Sequence, residues 1–150
     1  MREALKQAQQ AFDNDEVPVG AVILKDQQII AKAYNQVETL KDPTAHAEMI
    51  AITQATHHLQ SKWLPACTMY VTVEPCSMCA GALVLARIQK VVWGCDDPKT
   101  GACVSVLNII HNNMLNHQVE ILKGVLSEDA SYLMSAFFHQ KRLNTKMDRS

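Results

Sequence analysis

His46-Ala47-Glu48 and, one intervening segment later, Pro75-Cys76-Ser77-Met78-Cys79 are the residues of this chain whose types and spacing could do chemistry. They supply one imidazole, two thiols and one carboxylate left over. Three protein ligands of this kind hold zinc tetrahedrally and leave the fourth position to water, which is the coordination of a catalytic centre. A carboxylate not needed as a ligand can then move protons. Zinc lowers the pKa of its water toward about 7, so the chemistry implied is hydrolysis at neutral pH.

Each half of the pattern also has a plainer reading. Cys76-Ser77-Met78-Cys79 alone describes a thioredoxin-like redox pair equally well. Placement favours the metal, because both cysteines stand where a strand-like run ends and a helix-like run begins. There the helix dipole favours thiolate. His46 stands likewise at the start of a helical stretch, and two helix N-termini can converge on one ion. A closed structural site would need a fourth strong ligand. Cys67, Cys95, Cys103, His57, His58, His111 and His117 are available, but none has the paired spacing of structural zinc sites. They read as small buried thiols and as solvated or hydrogen-bonded imidazoles. Glu48, two residues from His46, does not share its helix face, so it reads as the proton carrier and not as a co-ligand. Glu74, just before Pro75, reads as a group that caps or orients the cysteine turn.

The elements that must position these groups belong to a chain of 150 residues, a length for one domain over residues 1–150 with a proper core. Hydrophobic residues make up 48 %, which excludes a disordered chain. The formal net charge of -1 argues against a general nucleic-acid binder. Charge is unevenly placed, however: Lys141, Arg142, Lys146 and Arg149 face only Asp148 in the last fourteen residues, while residues 1–50 carry five bases and eight acids. A basic tail of this kind is either a solvated helix end or an RNA contact. No run of about 18 apolar residues is present, so no membrane span is expected. Met1 to Lys6 reads as helix and not as a signal peptide. Five cysteines, an odd number without a secretory signal, point to a reducing cytoplasm.

Strand-like and helix-like runs alternate. Ala4, Leu5, Ala8, Ala11 and Phe12 recur at helical spacing, and Asp13 to Glu16 closes that helix. Val19 to Leu24 and Gln28 to Ala33 read as strands joined by the polar turn Lys25-Asp26-Gln27. Asp42-Pro43-Thr44 reads as the start of a helix reaching about Leu59, with Met49, Ile50 and Ile52 inward. Thr68 to Val73 is a strand running into Glu74-Pro75-Cys76, Ala80 to Ile88 a helix, and Lys90 to Trp93 a short strand. Gly94 to Gly101 reads as a loop, Val104 to His111 as a helix and Val119 to Leu122 as a last strand. Ser127 reads as the cap of a final helix from Glu128 to about Leu143. Alternation of this kind predicts an α/β fold, a sheet covered on both faces by helices, and the first hairpin makes the sheet mixed.

At His46-Ala47-Glu48 and Pro75-Cys76-Ser77-Met78-Cys79 the chain resembles the zinc-dependent nucleobase deaminases, whose signature is H-x-E…P-C-x-x-C. Glu16 to Val22, Asn35, Asp42 to Glu48 and Tyr70 to Cys76 are similar to the bacterial tRNA-specific adenosine deaminases, as are Met78 to Ala82 and Ala86 to Ile88. Asp42 to Glu48 resembles guanine deaminases equally well. Asp97 to Ala102, Asn116-His117 and Phe137-Phe138 followed by Arg142 resemble the tRNA enzymes specifically. Cys103-Val104-Ser105 and Cys95 depart from the family pattern, which commonly has small residues, glycine or alanine there.

The resemblance implies a three-layer α/β/α cytidine-deaminase-like fold around a mixed five-stranded sheet. It implies one zinc ion per subunit on His46, Cys76 and Cys79, with Glu48 moving protons as water attacks C6 of adenine. It further implies adenosine-to-inosine conversion at the wobble position of a tRNA anticodon stem-loop, in a homodimer, with no DNA partner. Leu83, Val84 and Leu85 leave room for a partner surface. Asn35, Ala47, Asp97, Lys99, Phe138 and Arg142 are the substrate-binding candidates, Asn35 toward the base or sugar, and Asp97 and Lys99 toward ribose-phosphate. Phe137, Phe138, Lys141 and Arg142 offer stacking planes and phosphate donors, with Phe138 as the ring expected at the surface. The remaining alternatives are a guanine or free nucleoside deaminase and a non-hydrolytic zinc or redox module.

Overall fold

The computed structural model describes residues 1–150. Along the chain run α1 (Arg2–Asp13), β1 (Gly20–Lys25), β2 (Gln28–Tyr34), α2 (Val37–Leu40) and α3 (Ala47–Leu59). They are followed by β3 (Cys67–Val73), α4 (Ser77–Leu85), β4 (Lys90–Cys95), β5 (Glu120–Lys123) and α5 (Ser127–Asp148). The strands form one five-stranded sheet in the order β2-β1-β3-β4-β5. β1 is antiparallel to β2 and β3, whereas β3, β4 and β5 run parallel, so the sheet is mixed as the hairpin predicts. The hairpin closes through Asp26 and Gln27, both with positive φ, the two-residue geometry that matches strand twist.

Register places Ala21, Val71 and Trp93 in one row and Ile23, Met69 and Val91 in the next. Residues two apart share a face, and these rows close the main core with Ala51 and Ala55 of α3 and Leu83 of α4. α1 and α5 pack on each other and on the sheet from the other side, completing three layers. Ala4, Ala8 and Ala11 are the buried stripe of α1. A Cβ on Gly20 would sit 2.1 Å from the Ala4 carbonyl oxygen and 2.4 Å from the Ala8 nitrogen, so the backbone of α1 rests directly on β1.

Five expectations need correction. The helix expected from Asp42-Pro43-Thr44 begins at Ala47, with His46 as its N-cap in extended conformation. Asp42 Oδ1 accepts hydrogen bonds from the Thr44 backbone N–H and hydroxyl, and this local turn competes with helix. The fully buried face of α3 is Ala47, Glu48, Ala51 and Ala55; Ile50 and Ile52 pack against the core as expected but are half-buried, as is Met49. α4 begins at Ser77, ahead of the expected Ala80, because the Cys76 carbonyl already accepts the Ala80 N–H at 2.8 Å. Val104 to His111 is not helical: the Gly101 carbonyl collects the amides of Val106 and Leu107, and the Asn108 side chain takes the His111 amide. The crossover from β4 to β5 is therefore irregular. Finally, Ser127 is the first helical residue of α5 and not its cap, since Leu126 takes that place at φ 53°. Glu128 and Asp129 complement the dipole there, and the helix continues to Asp148 instead of Leu143. The short helix α2 was not foreseen.

Candidate active site

β3 ends at Val73, and Glu74-Pro75 carries the chain to Cys76, the N-cap of α4. Cys79 follows in the first turn and is fully buried, while Cys76 is half-buried. His46 reaches the same point from the N-cap of α3. Its Nδ1 lies 3.6 Å from Sγ of Cys76 and 3.6 Å from Sγ of Cys79. Zinc bonds of about 2.3 Å to sulfur and 2.0–2.1 Å to nitrogen, opened to a tetrahedral angle, put S and N about 3.6 Å apart. With all three donor atoms within 4.8 Å of one another, the trio fits a zinc ion in donor type and spacing.

Without metal the three donors share protons. A hydrogen bond from the Cys79 thiol, joined by one from His46, holds Cys76 down to about 4 against the opposing effect of burial. Cys79 is pushed up because it donates to Cys76 and is buried. His46 is raised, chiefly by its hydrogen bond with Cys76. Glu48, 4 % exposed, has its carboxyl raised by burial. A carboxyl shifted upward in a pocket wall beside a metal-donor trio is suited to acid–base work.

His46, Ala47, Glu48 and Cys76 line a cavity of about 910 Å³. As the first residue of α3, Ala47 has a backbone N–H with no intrahelical acceptor. Asn35 and Val37 form another part of the wall, Asp97 to Thr100 a third, and Phe138 and Arg142 of α5 a fourth. The cavity thus brings together the substrate-binding candidates Asn35, Ala47, Asp97, Lys99, Phe138 and Arg142. Asn35 is buried, its amide donating to the Val17 carbonyl at 3.3 Å and its oxygen accepting from the Val37 N–H at 3.4 Å. Both oxygens of Asp97 are taken by its own loop: Oδ1 accepts the amides of Lys99 and Thr100, and Oδ2 the Thr100 hydroxyl. Phe138 is 42 % exposed, whereas Phe137 is buried edge-on against Phe12. Lys141, among the phosphate donors the tail pattern suggested, donates from Nζ to Asp15 at 2.6 Å in an exposed ion pair.

Other histidines have structural partners: His111 donates to the Val119 carbonyl and His117 to the Ile88 carbonyl, each at 2.7 Å. Cys67 and Cys103 are buried thiols, and Cys95 lies in the cavity wall. Ser131, Met134 and Ser135 also line the cavity and were missed. Helical spacing back from Phe138 and Arg142 was the signal that could have found them. Glu74, expected to cap or orient the cysteine turn, instead turns its carboxylate to the loop after β4, where it accepts amides from Asp97, Cys103, Val104 and Ser105.

A three-layer sheet carrying a His-Cys-Cys trio and a buried glutamate at two helix starts defines a hydrolytic deaminase, and the MafB19-like deaminase family model matches residues 1–142. Within that class the chain belongs to the tRNA-specific adenosine deaminases. It is 52 % identical over 144 residues to the tRNA-specific adenosine deaminase of Aquifex aeolicus (strain VF5), covering 96 % of this chain and 95 % of that protein. Its identity to the corresponding Bacillus subtilis (strain 168) protein is 45 % over 149 residues, covering 99 % and 92 %. Among solved structures, one from a study of A-to-I editing by tRNA:A34 deaminases superposes with a TM-score of 0.86 at 38 % identity, covering 89 % of this chain and 96 % of that one. A guanine deaminase from Nitrosomonas europaea shares the fold, with a TM-score of 0.77 at 21 % identity, over 89 % and 80 %.

Proposed function

We propose that the chain hydrolyses adenosine to inosine at the wobble position of a tRNA anticodon, releasing ammonia. The observation that carries this reading is one cavity whose wall joins His46 and Cys76 of the metal-donor trio, a buried carboxylate and an aromatic, basic rim. Kinship with deaminases named for tRNA adenosine supports the choice of substrate.

His46, Cys76 and Cys79 would hold one zinc ion per subunit. Bound there, zinc supplies Lewis acidity that makes a water nucleophilic near neutral pH. Glu48 accepts the proton that water gives up and delivers it to the purine ring, then takes the proton of the hydroxyl added at C6 and passes it to the amino group, which leaves as ammonia. The Ala47 N–H and the Asn35 side chain orient the base and its sugar. Phe138 stacks on an unpaired base of the loop, and Arg142 and Lys99 meet phosphates. Asp97 acts by shaping the loop that carries Lys99.

Residues 1–150 act as one zinc-dependent deaminase domain in the cytoplasm; no helix is long and apolar enough to cross a membrane. The active form is a homodimer. Of the three apolar residues expected to support it, Leu83 and Val84 are buried in the chain's own core, and Leu85, 79 % exposed, remains for a partner. The test is to incubate the purified protein separately with an anticodon stem-loop RNA, free guanine and cytidine, and follow loss of one amino group by mass spectrometry. Deamination confined to the stem-loop is expected. Turnover of free guanine or cytidine with the RNA untouched would overturn the assignment.

A further inference from the structure

Two buried glutamates take no part in proton transfer. Glu16 is 1 % exposed and Glu74 3 %, and neither forms an ion pair. Backbone amides satisfy them instead. Glu16 accepts from the Glu38 N–H at 2.9 Å, the Thr39 N–H at 2.7 Å and the Thr39 hydroxyl at 2.6 Å. Glu74 accepts from the amides of Asp97 at 3.1 Å, Cys103 at 3.1 Å, Val104 at 2.9 Å and Ser105 at 3.0 Å, and from the Ser105 hydroxyl.

The segments so held are the ones least able to hold themselves. α2 spans only Val37–Leu40, too short to persist as an isolated helix. The stretch after β4 has no strand and no helix before β5. Both segments are walls of the substrate cavity, one through Val37 and Glu38 and the other through Asp97 to Thr100. A buried carboxylate without a cation is costly unless several donors converge on it, and convergent N–H donors fix the backbone that carries them. Close approach tells the same story at Gly101, where a Cβ would lie 2.5 Å from the Glu74 carboxyl carbon and 2.5 Å from the Asp97 carbonyl oxygen.

We propose that Glu16 and Glu74 are paired positioning residues, each fixing one irregular wall of the substrate cavity through backbone amides. The inference rests on reading that cavity as the RNA-editing site. The metal donors and Glu48 stand on α3, α4 and their caps, so loosening a wall weakens substrate binding more than turnover.

The experiment compares Glu16→Gln, Glu74→Gln, Thr39→Val and Ser105→Ala with the unaltered chain. It reads kcat and KM on the stem-loop, zinc content, and amide hydrogen exchange at Thr39 and Val104. Glu16→Gln and Glu74→Gln should raise KM about tenfold, the factor carried by one charge-assisted hydrogen bond, with kcat within about threefold. Thr39→Val and Ser105→Ala keep both carboxylates and their amide donors and remove one hydroxyl donor each, so KM should rise about threefold. Zinc should stay at one ion per chain, and exchange should quicken at Thr39 when Glu16 or Thr39 is altered and at Val104 when Glu74 or Ser105 is. A purely structural role instead predicts unchanged KM, with kcat falling as zinc and folded fraction fall, and that result would overturn the proposal. Should the glutamine variants fail to fold, unchanged KM in Thr39→Val and Ser105→Ala overturns it as well. If the unaltered chain leaves stem-loop RNA untouched, the reading of the cavity fails, while hydrogen exchange still decides whether the glutamates hold the walls.

Discussion

Glu48→Gln separates the proton carrier from everything that surrounds it. Glutamine keeps the volume of a side chain that is 4 % exposed, and it leaves His46, Cys76 and Cys79 in place. What it removes is a group that accepts and returns a proton. Acid–base catalysis by one residue is worth about 10²–10⁴ in rate, and a residue that works at both the attack and the departure of ammonia belongs at the upper end. The expected loss in kcat is therefore about 10³- to 10⁴-fold, or about 4–5.5 kcal/mol of barrier. KM should stay within about threefold, because a side chain that acts only in the transition state contributes little to ground-state binding. The assay is steady-state deamination of an anticodon stem-loop, read by mass spectrometry, with metal analysis of the same sample. Thermal stability supplies an independent sign. Burial raises this carboxyl above its ordinary 4.5, so the stability it contributes is complete below 4.5 and is lost as pH rises through the higher folded value. The metal-free Gln variant should thus melt no lower than the metal-free original at pH 8, and the gap should close near pH 4. A variant that retains kcat within about tenfold refutes the assigned role. One that loses zinc along with activity would make Glu48 part of the metal site instead.

Gly20→Ala should destabilise the fold by about 3 kcal/mol, since a methyl group there meets the backbone of α1 and not a flexible side chain. A thermal melt should show a drop of roughly 6–12 °C, and an unchanged midpoint would mean that α1 does not rest on β1 as described. Zinc binding should release at least one proton per ion at pH 6.5, because Cys79, pushed up, holds its own and His46 is raised, whereas Cys76 at about 4 is already thiolate. The apparent affinity should accordingly fall at least about tenfold per pH unit below that point. Calorimetric titration in two buffers of different ionisation enthalpy measures the count, and zero release would contradict the proton sharing.

The metal-donor trio was legible because its information is local. Pro75-Cys76-Ser77-Met78-Cys79 sits at a strand-to-helix junction, and that junction alone presents both sulfurs to one side. The hairpin was legible for the same reason, with apolar runs flanking a polar turn whose two central residues adopt positive φ. Adjacent helical residues point about 100° apart, so one ring of Phe137 and Phe138 was bound to face outward, and the packing of Phe137 on Phe12 decided which.

What failed was whatever a distant partner decides. Val104 to His111 has apolar residues at plausible helical spacing, yet Glu74, some thirty positions away, draws in the amides of Cys103, Val104 and Ser105. Lys141 pairs with Asp15, 126 positions earlier, a contact no local pattern records. Residue types and short-range spacing therefore determined the chemistry available here: three soft donors, a spare carboxylate and an alternating α/β chain. Only the tertiary structure decided that α3 begins at Ala47, that the donors meet at zinc-binding distances, and that two buried glutamates fasten the cavity walls. Hydrogen bonds between residues far apart in the chain depend on how the layers pack, and no local pattern records that packing.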